Sequence, residues 1–263
     1  ALAFGFGPQL TEHGFHIMFG FYREMTELMR GCGVDISTTT RSADHRYYFL
    51  GADQRIRGFY RDEFFLKFAA NLYRVPVEGG YFLVDAGLPW EARRLLSLLQ
   101  EPPKLLFLTH HHLDHAGGAR ALWERFRVPI LAHPQEWAYL TKRKPRPPLP
   151  LPLLGKALAN WGPAIPEEAL APAEEGMEVF GFRVVHLPGH TLGQVGLFRE
   201  GLLLAGDALR GRGLPPRFIN EDHALARRTV RKILELGAER VYLGHGGPLS
   251  GEEVAAIARR LGV

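Results

Sequence analysis

Between Thr109 and Gly118 the chain reads THHHLDHAGG: three adjacent histidines, an aspartate and a fourth histidine, closed by two glycines. Imidazole nitrogens and carboxylate oxygens are good ligands for zinc, manganese and iron, and a metal centre needs three or more of them converging at about 2 Å. In extended backbone alternate side chains point the same way, so His110 and His112 can face one point while His111 turns away. Asp114 and His115, reached as a helix begins, can face a second point nearby. Gly117 and Gly118 let the backbone turn closely beneath them. One short stretch cannot complete two such centres, so further ligands must arrive from downstream.

Three candidates do. HLPGHT puts His190 in a glycine-flanked loop after a strand, LLLAGDAL puts Asp207 at the end of an apolar strand, and VYLGHGG puts His245 at the end of another. Each is a polar group that closes an apolar run and is followed by small residues. Strands fix position and glycine-rich loops allow close approach, which is what the rim of a site between sheets requires. Any one of the three alone reads better as a satisfied buried histidine or a capping aspartate; together, in this order, they favour a built site. The single cysteine, Cys32, lies between Gly31 and Gly33 without a partner motif, so it reads as a plain thiol. No intrachain disulfide can form, which agrees with a reducing compartment, and any metal must be held mainly by nitrogen and oxygen.

The elements that must position these groups follow from periodicity. NLYRVPV and GYFLVDAG read as two strands of a hairpin joined at Glu78-Gly79-Gly80. WEARRLLSLLQ carries leucines at helical spacing and stops before Pro102-Pro103. KLLFLT is a buried strand feeding the histidine stretch, AGGARALWERF a helix, and VPILAH the next strand. MEVFGFRVVHL, VGLFRE and GLLLAGD then read as strands, ALARRTVRKILELG as a helix, RVYLGH as a strand and EEVAAIARRLG as a last helix. Strands paired by hairpins and interleaved with helices predict an α/β protein of two sheets with helices outside.

The 263 residues suffice for one large α/β domain, and the 46% apolar content is ordinary for a globular protein. There is no apolar run of the ~18 residues a membrane span needs, and Ala1 does not open a secretion signal, so the expectation is a cytoplasmic protein with no membrane partner. The formal charge of +4 is mildly basic. Part of the excess sits in KRKPRP, Lys142 to Pro147, which could meet an anionic substrate or nucleic acid but reads first as a solvated, proline-stiffened loop. Residues 1–58 differ in composition, poor in proline and holding three of the four methionines. They are set apart as an extension of uncertain status, in which HGFHIMFGFYREMTELM could form an amphipathic helix and His13 and His16 read as incidental.

THHHLDHAGG, PGHT, GD and GHGG in this order resemble the metallo-β-lactamase superfamily, and NLYRVPVEGGYFLVDAG is similar to its opening strands. The resemblance spans about Asn71 to Gly247; the HxHxDH pattern is strongly specific, the shorter motifs weak singly. It implies an αββα sandwich over residues 59–263 with a dinuclear site at one end. Carried over position by position, His110, His112 and His190 would bind one metal, Asp114, His115 and His245 the other, and Asp207 would bridge them. Asp85 in LVDAG would buttress the site by hydrogen bonding. His111, His133, His186 and His223 match no ligand position, and packing or supporting roles are expected for them.

The cofactors so implied are two divalent metal ions, zinc first, with manganese or iron as alternatives. Two such ions can share a water and lower its pKa from 15.7 towards ~7, so that the nucleophile comes from solvent, with Asp114 and Asp207 the carboxylates at the reacting centre. No GxSxG elbow offers a serine nucleophile instead. The expected reaction is hydrolysis of a small ester, thioester or lactone. Relatives sharing these ligands also include zinc β-lactamases, ribonuclease Z-like nucleases and persulfide dioxygenases with one iron. A cysteine-ligated β-lactamase site is disfavoured by Asp207 and a cysteine-free core, and a binding module without activity by the intact ligand set. A small molecule is the expected partner, nucleic acid is not, and a homo-oligomer is left open. The proline-rich insert, Lys142 to Pro166 with Trp161, would cover the pocket and select the substrate.

Overall fold

The computed structural model describes residues 72–99, 101–147, 155–211, 213–246 and 248–263. The expectations for residues 1–58, with His13, His16 and Cys32, lie outside the described residues, as do positions 148–154 of the insert.

The expected first hairpin pairs β1 (Tyr73–Val77) with β2 (Gly80–Val84), Val77 standing opposite Gly80. The turn is Glu78-Gly79 alone, and Gly79 takes the left-handed φ of +68° that a tight hairpin turn needs. Three parallel strands extend this sheet: β3 (Leu106–Phe107), β4 (Ile130–Ala132) and β5 (Leu170–Pro172), in the order β1-β2-β3-β4-β5. The second sheet has the order β11-β10-β9-β8-β7-β6, from β6 (Glu178–Val179), β7 (Phe182–His186), β8 (Val195–Arg199), β9 (Leu202–Leu204), β10 (Arg240–Tyr242) and β11 (Leu249–Ser250). Both sheets are mixed; in the second only β9 and β10 run parallel.

MEVFGFRVVHL departs from expectation: it is a hairpin of two strands, because Phe180 (φ +49°) and Gly181 (φ +78°) form a turn with both central residues left-handed. The elements not foreseen are short. They are β5, β11, the helix Pro134–Leu140 and the five-residue helix Gly155–Ala159. Proline at the first helical position and the His133 side chain accepting from Gln135 N were the available signs of the first of these helices.

The remaining helices agree with the periodic pattern. In chain order the helices are α1 (Ala92–Leu98), α2 (Leu113–Ala116), α3 (Ala119–Phe126), α4 (Pro134–Leu140), α5 (Gly155–Ala159), α6 (His223–Glu235) and α7 (Gly251–Leu261). α6 buries Ala226, Thr229, Val230 and Ile233, the spacing of one helical face, and starts at Asp222, which accepts from Leu225 N at 2.8 Å. α7 opens on a reciprocal Ser250/Glu253 capping box and ends at Gly262 with φ +66°.

The strand alternation sorts the core into layers. Phe82, Val84, Phe107, Phe182, Val184, Leu197 and Leu204 pack together between the sheets. Their neighbours Tyr81, Leu83, Leu106 and Leu108 turn the other way, onto Ala119, Leu122 and Leu140 of the outer helices. Val185, Leu203 and Val241 do the same towards Val230, Ile233, Val254 and Ile257. The result is the expected αββα sandwich, each fully buried leucine or phenylalanine contributing about 1.5–3 kcal/mol by leaving water. The direction of the strands decides where the polar groups go. β2 and β3 run parallel, and β7, β9 and β10 share one direction. The residues that follow all five strands therefore emerge along common edges: Asp85, Thr109 to His112, His190, Asp207 and His245.

Candidate metal centre

Seven side chains converge there. His112 Nδ1 lies 3.0 Å from His110 Nε2 and 2.9 Å from His190 Nε2. On the other side His245 Nε2 is 2.9 Å from Asp114 Oδ2, and His115 Nε2 is 3.7 Å from the same oxygen. Asp207 stands between: Oδ1 is 3.4 Å from His115 Nε2, while Oδ2 is 3.6 Å from His190 Nε2 and 3.4 Å from His245 Nε2. Three overlapping groups result, His110/His112/His190, His110/His115/Asp207 and Asp114/His115/His245, each with its ligand atoms within 4.8 Å of one another. Every residue expected at the centre from the sequence is in it.

The orientation of each imidazole has a cause. Asp85 adopts a left-handed φ of +62°, which a short polar side chain tolerates. Its carboxylate accepts from Thr109 N at 2.8 Å and from the Thr109 hydroxyl, and its Oδ2 is 2.7 Å from His115 Nδ1. With Nδ1 held by Asp85, His115 aims Nε2 at Asp207. The Thr109 hydroxyl, donating to Asp85, receives His110 Nδ1 at 3.0 Å, so His110 also presents Nε2 inward. Asn220 Oδ1 does the same for His190 Nδ1 at 3.0 Å, and Asn220 is itself held through its amide by Pro215 O and His223 Nδ1.

Close approach is built into the backbone. A Cβ on Gly244 would stand 2.2 Å from Asp207 Oδ1 and 2.5 Å from His115 Cε1. Gly118 would put one 2.4 Å from Ala86 O. Gly117 and Gly118 have ordinary helical φ values, so what they allow is close approach to Pro89 and Ala86 and not a left-handed conformation.

The electrostatics suit a cation. Burial first, and then the neighbouring imidazoles, push His110 and His112 well below the pKa of a free imidazole, so both offer lone pairs. Burial works against charge on His115, but Asp85, Asp114 and Asp207 outweigh it and raise that group well above its ordinary value. Burial also opposes ionisation of Asp207, yet His115, His190 and His245 bring it down to about 2. Buried negative charge here demands positive charge beside it. Asp207 Oδ1 is buried and makes no hydrogen bond among the described residues. A buried carboxylate oxygen with no hydrogen bond, facing His115 and set beside the neutral imidazoles of His110, His112 and His190, fits a metal ion in the place of a proton.

Nothing in the sequence marks a role for Thr109, Glu136, Asn220 or Arg210. Glu136 is buried and bonded to both histidine loops. Arg210 reaches Asp207 Oδ2 at 3.5 Å. His133 and His186 stack on each other with centroids 4.6 Å apart, a packing role. The KRKPRP segment is exposed, as expected of a solvated loop, except at Arg146. Lys142 reaches Asn160 O at 3.0 Å, and Arg146 is half-buried, burial lowering its pKa to about 10. Trp161 leans on Trp90 with centroids 5.6 Å apart, and the adjacent Gly162 packs against Pro89 and Leu113, beside Asp114.

A four-layer sandwich with imidazoles and carboxylates gathered where its strands end defines a protein with a metal site. The model of the metallo-β-lactamase superfamily matches residues 67–245, and the chain belongs to that superfamily. Among curated relatives, the probable metallo-hydrolase YflN of Bacillus subtilis is 28% identical over 234 residues, 73% of this chain and 88% of its own. The hydroxyacylglutathione hydrolase GloC of Haemophilus influenzae is 30% identical over 174 residues, 62% of this chain and 79% of its own. The crystal structure of TTHA1623 in a di-iron-bound form shares 30% identity with a TM-score of 0.58, covering 72% of this chain and 93% of that one. Among the described residues no helix is long and apolar enough to cross a membrane.

Proposed function

We propose that the protein is a dinuclear-metal hydrolase of small esters, thioesters or lactones. The observation that carries this reading is the position of Asp207, whose two oxygens face the two histidine groups from between them. His110, His112 and His190 would hold one divalent cation, Asp114, His115 and His245 the other, and Asp207 would touch both; zinc is the first choice, and manganese or iron suits the same donors. Bound there, such ions supply Lewis acidity towards a carbonyl oxygen and bring the pKa of water towards ~7.

The chain's own groups do the rest. Asp85, Thr109 and Asn220 keep three imidazoles in the inward-facing tautomer, so no reorganisation is needed when substrate arrives. Asp114 is 29% exposed, unlike Asp207 at 2%, and is the carboxylate that an entering water meets first. Its oxygen accepts a hydrogen bond from that water and orients it. The apolar faces of Trp90 and Trp161 are exposed next to the Leu113 segment and would receive the acyl or leaving group of a small apolar substrate. The name hydroxyacylglutathione hydrolase carried by a relative is compatible with thioester chemistry.

Metal analysis joined to a substrate panel tests the proposal. Protein reconstituted with zinc, manganese or iron(II) should hold two ions per chain and turn over thioesters or lactones faster than β-lactams and phosphodiesters. One iron per chain with oxygen-dependent turnover of persulfides, or cleavage of phosphodiesters alone, would overturn it.

A further inference from the structure

Glu136 lies on α4, in no metal-binding group, yet its carboxylate is 1% exposed and fully engaged. Oε2 accepts from His111 N at 2.8 Å and pairs with His111 Nδ1. Oε1 accepts from the Thr191 hydroxyl at 2.9 Å and from Gly193 N at 2.8 Å. The four donors belong to two loops only, the one carrying His110 and His112 and the one carrying His190. Every donor is within three residues of a member of the first three-nitrogen group, and none is on the loops of Asp207 or His245.

Two further observations show that the local sequence is fitted to this carboxylate. Gly193 could not be another residue without change, because a Cβ there would stand 2.6 Å from Glu136 Oε1. His111, the histidine of the triplet that turns away from the metal face, stacks on Tyr139 of the same helix with centroids 4.2 Å apart and planes 19° apart. Its Nε2 is buried with no hydrogen-bond partner among the described residues, so its polar work is directed at Glu136. A buried carboxylate is a costly way to fasten two loops, since apolar contacts of the same volume usually stabilise as well or better. What it provides is directional bonds that fix the distance between the loops.

We propose that Glu136 is a positioning residue that sets the spacing of His112 against His190, and thereby the affinity of the His110/His112/His190 group for its cation, leaving the Asp114/His115/His245 group untouched. The proposal rests on the metal-binding reading given above. Within it, Glu136 touches neither metal nor substrate and acts through His111, Thr191 and Gly193.

The test compares E136A, E136Q and T191V with the wild type as full-length proteins. Zinc affinity is measured by competition with a chromophoric chelator, and cobalt(II) spectra report each site. E136A should weaken one of the two equivalents 10–100-fold and leave the other within about twofold. E136Q keeps an acceptor for Thr191 and Gly193 but turns an amide donor towards His111 N, and should fall between; T191V removes one donor and should cost less than either. Equal weakening of both equivalents, or a lower melting temperature with unchanged affinities, would overturn the proposal. Should E136A not fold, E136Q and T191V decide it alone. Histidine side-chain 15N spectra of the metal-free protein separate this inference from the hydrolase reading. Shifts at His112 and His190 with none at His115 and His245 support the clamp even if no metal is taken up, and shifts spread over all four refute it.

Discussion

His112 Nδ1 stands 2.9 Å from His190 Nε2 across 78 residues of sequence, and the same nitrogen is 3.0 Å from His110 Nε2. Three imidazole nitrogens this close cannot all carry protons, and burial keeps them neutral. The middle residue of the triplet, His111, is fully buried and faces Glu136. The two neighbours should therefore separate on mutation.

His112→Ala should lose one metal equivalent per chain, whereas His111→Ala should keep both. His111→Ala should still destabilise the fold, by roughly 1–3 kcal/mol, because it removes one of four donors from a buried carboxylate. Metal content by plasma emission and urea midpoints on the same preparations check both halves. Identical metal loss in the two variants would contradict the facing arrangement.

Asp207 is the only carboxylate placed against both histidine groups among the described residues. Asp207→Ala should reduce metal content to at most one ion and lower kcat/KM by at least about 100-fold, the loss arising from the second ion and from the fixed charge between the two. Asp207→Asn keeps shape and one acceptor and should retain part of the metal. Unchanged turnover by metal-replete Asp207→Ala would exclude the position between the ions.

Asp85 offers a cleaner separation of charge from backbone. Its left-handed φ of +62° suits asparagine as well as aspartate, so Asp85→Asn leaves the loop unstrained. The new amide keeps an oxygen for Thr109 but presents N–H to His115 Nδ1, now 2.7 Å from an acceptor. His115 must then accept at Nδ1 and hold its proton on Nε2, the nitrogen aimed at the site. Affinity at the Asp114/His115/His245 centre should fall about 10–100-fold. The His115 tautomer, read from its 15N shifts, should switch in the same variant, and a switch without loss of affinity would deny His115 a ligand role.

These supporting residues show where sequence stops being informative. The seven side chains that meet here were legible because four crowd into THHHLDHAGG and the other three, His190, Asp207 and His245, follow apolar runs and precede small residues, both local patterns. The helices were legible in the same local way, as in α6, which repeats at helical spacing, whereas Tyr81, Phe82, Leu83 and Val84 form an unbroken apolar run whose division between two cores appears only in the fold. Glu136 and Asn220 carry no such mark. Their partners are 25 to 57 and 30 positions away, and only the folded chain brings them together. The short strands β5 and β11 are equally silent, since three or two paired residues are below the length at which alternation can be told from chance. Pro134 marks the start of α4, but the sequence analysis assigns no element between VPILAH and the proline-rich segment.

Gly244 turns that dependence on close packing into a last measurement. It precedes His245 and has an ordinary backbone conformation, so alanine there meets no torsional penalty. The added methyl would lie 2.2 Å from Asp207 Oδ1 and 2.5 Å from His115 Cε1, far inside contact distance, and His115 is pinned by Asp85. Something must move, and what can move is the carboxylate between the two histidine groups. Gly244→Ala should therefore cost about 1–3 kcal/mol in stability, a melting shift of roughly 2–10 °C in a chain of this size, and should release at least one metal equivalent. Gly213, with open space where its Cβ would be and no left-handed φ, is the control, and Gly213→Ala should change neither quantity. Calorimetry and metal analysis of the two variants decide the matter: full metal occupancy in Gly244→Ala would mean that Asp207 has room to spare, and the tight placement on which its role between the two centres depends would be refuted.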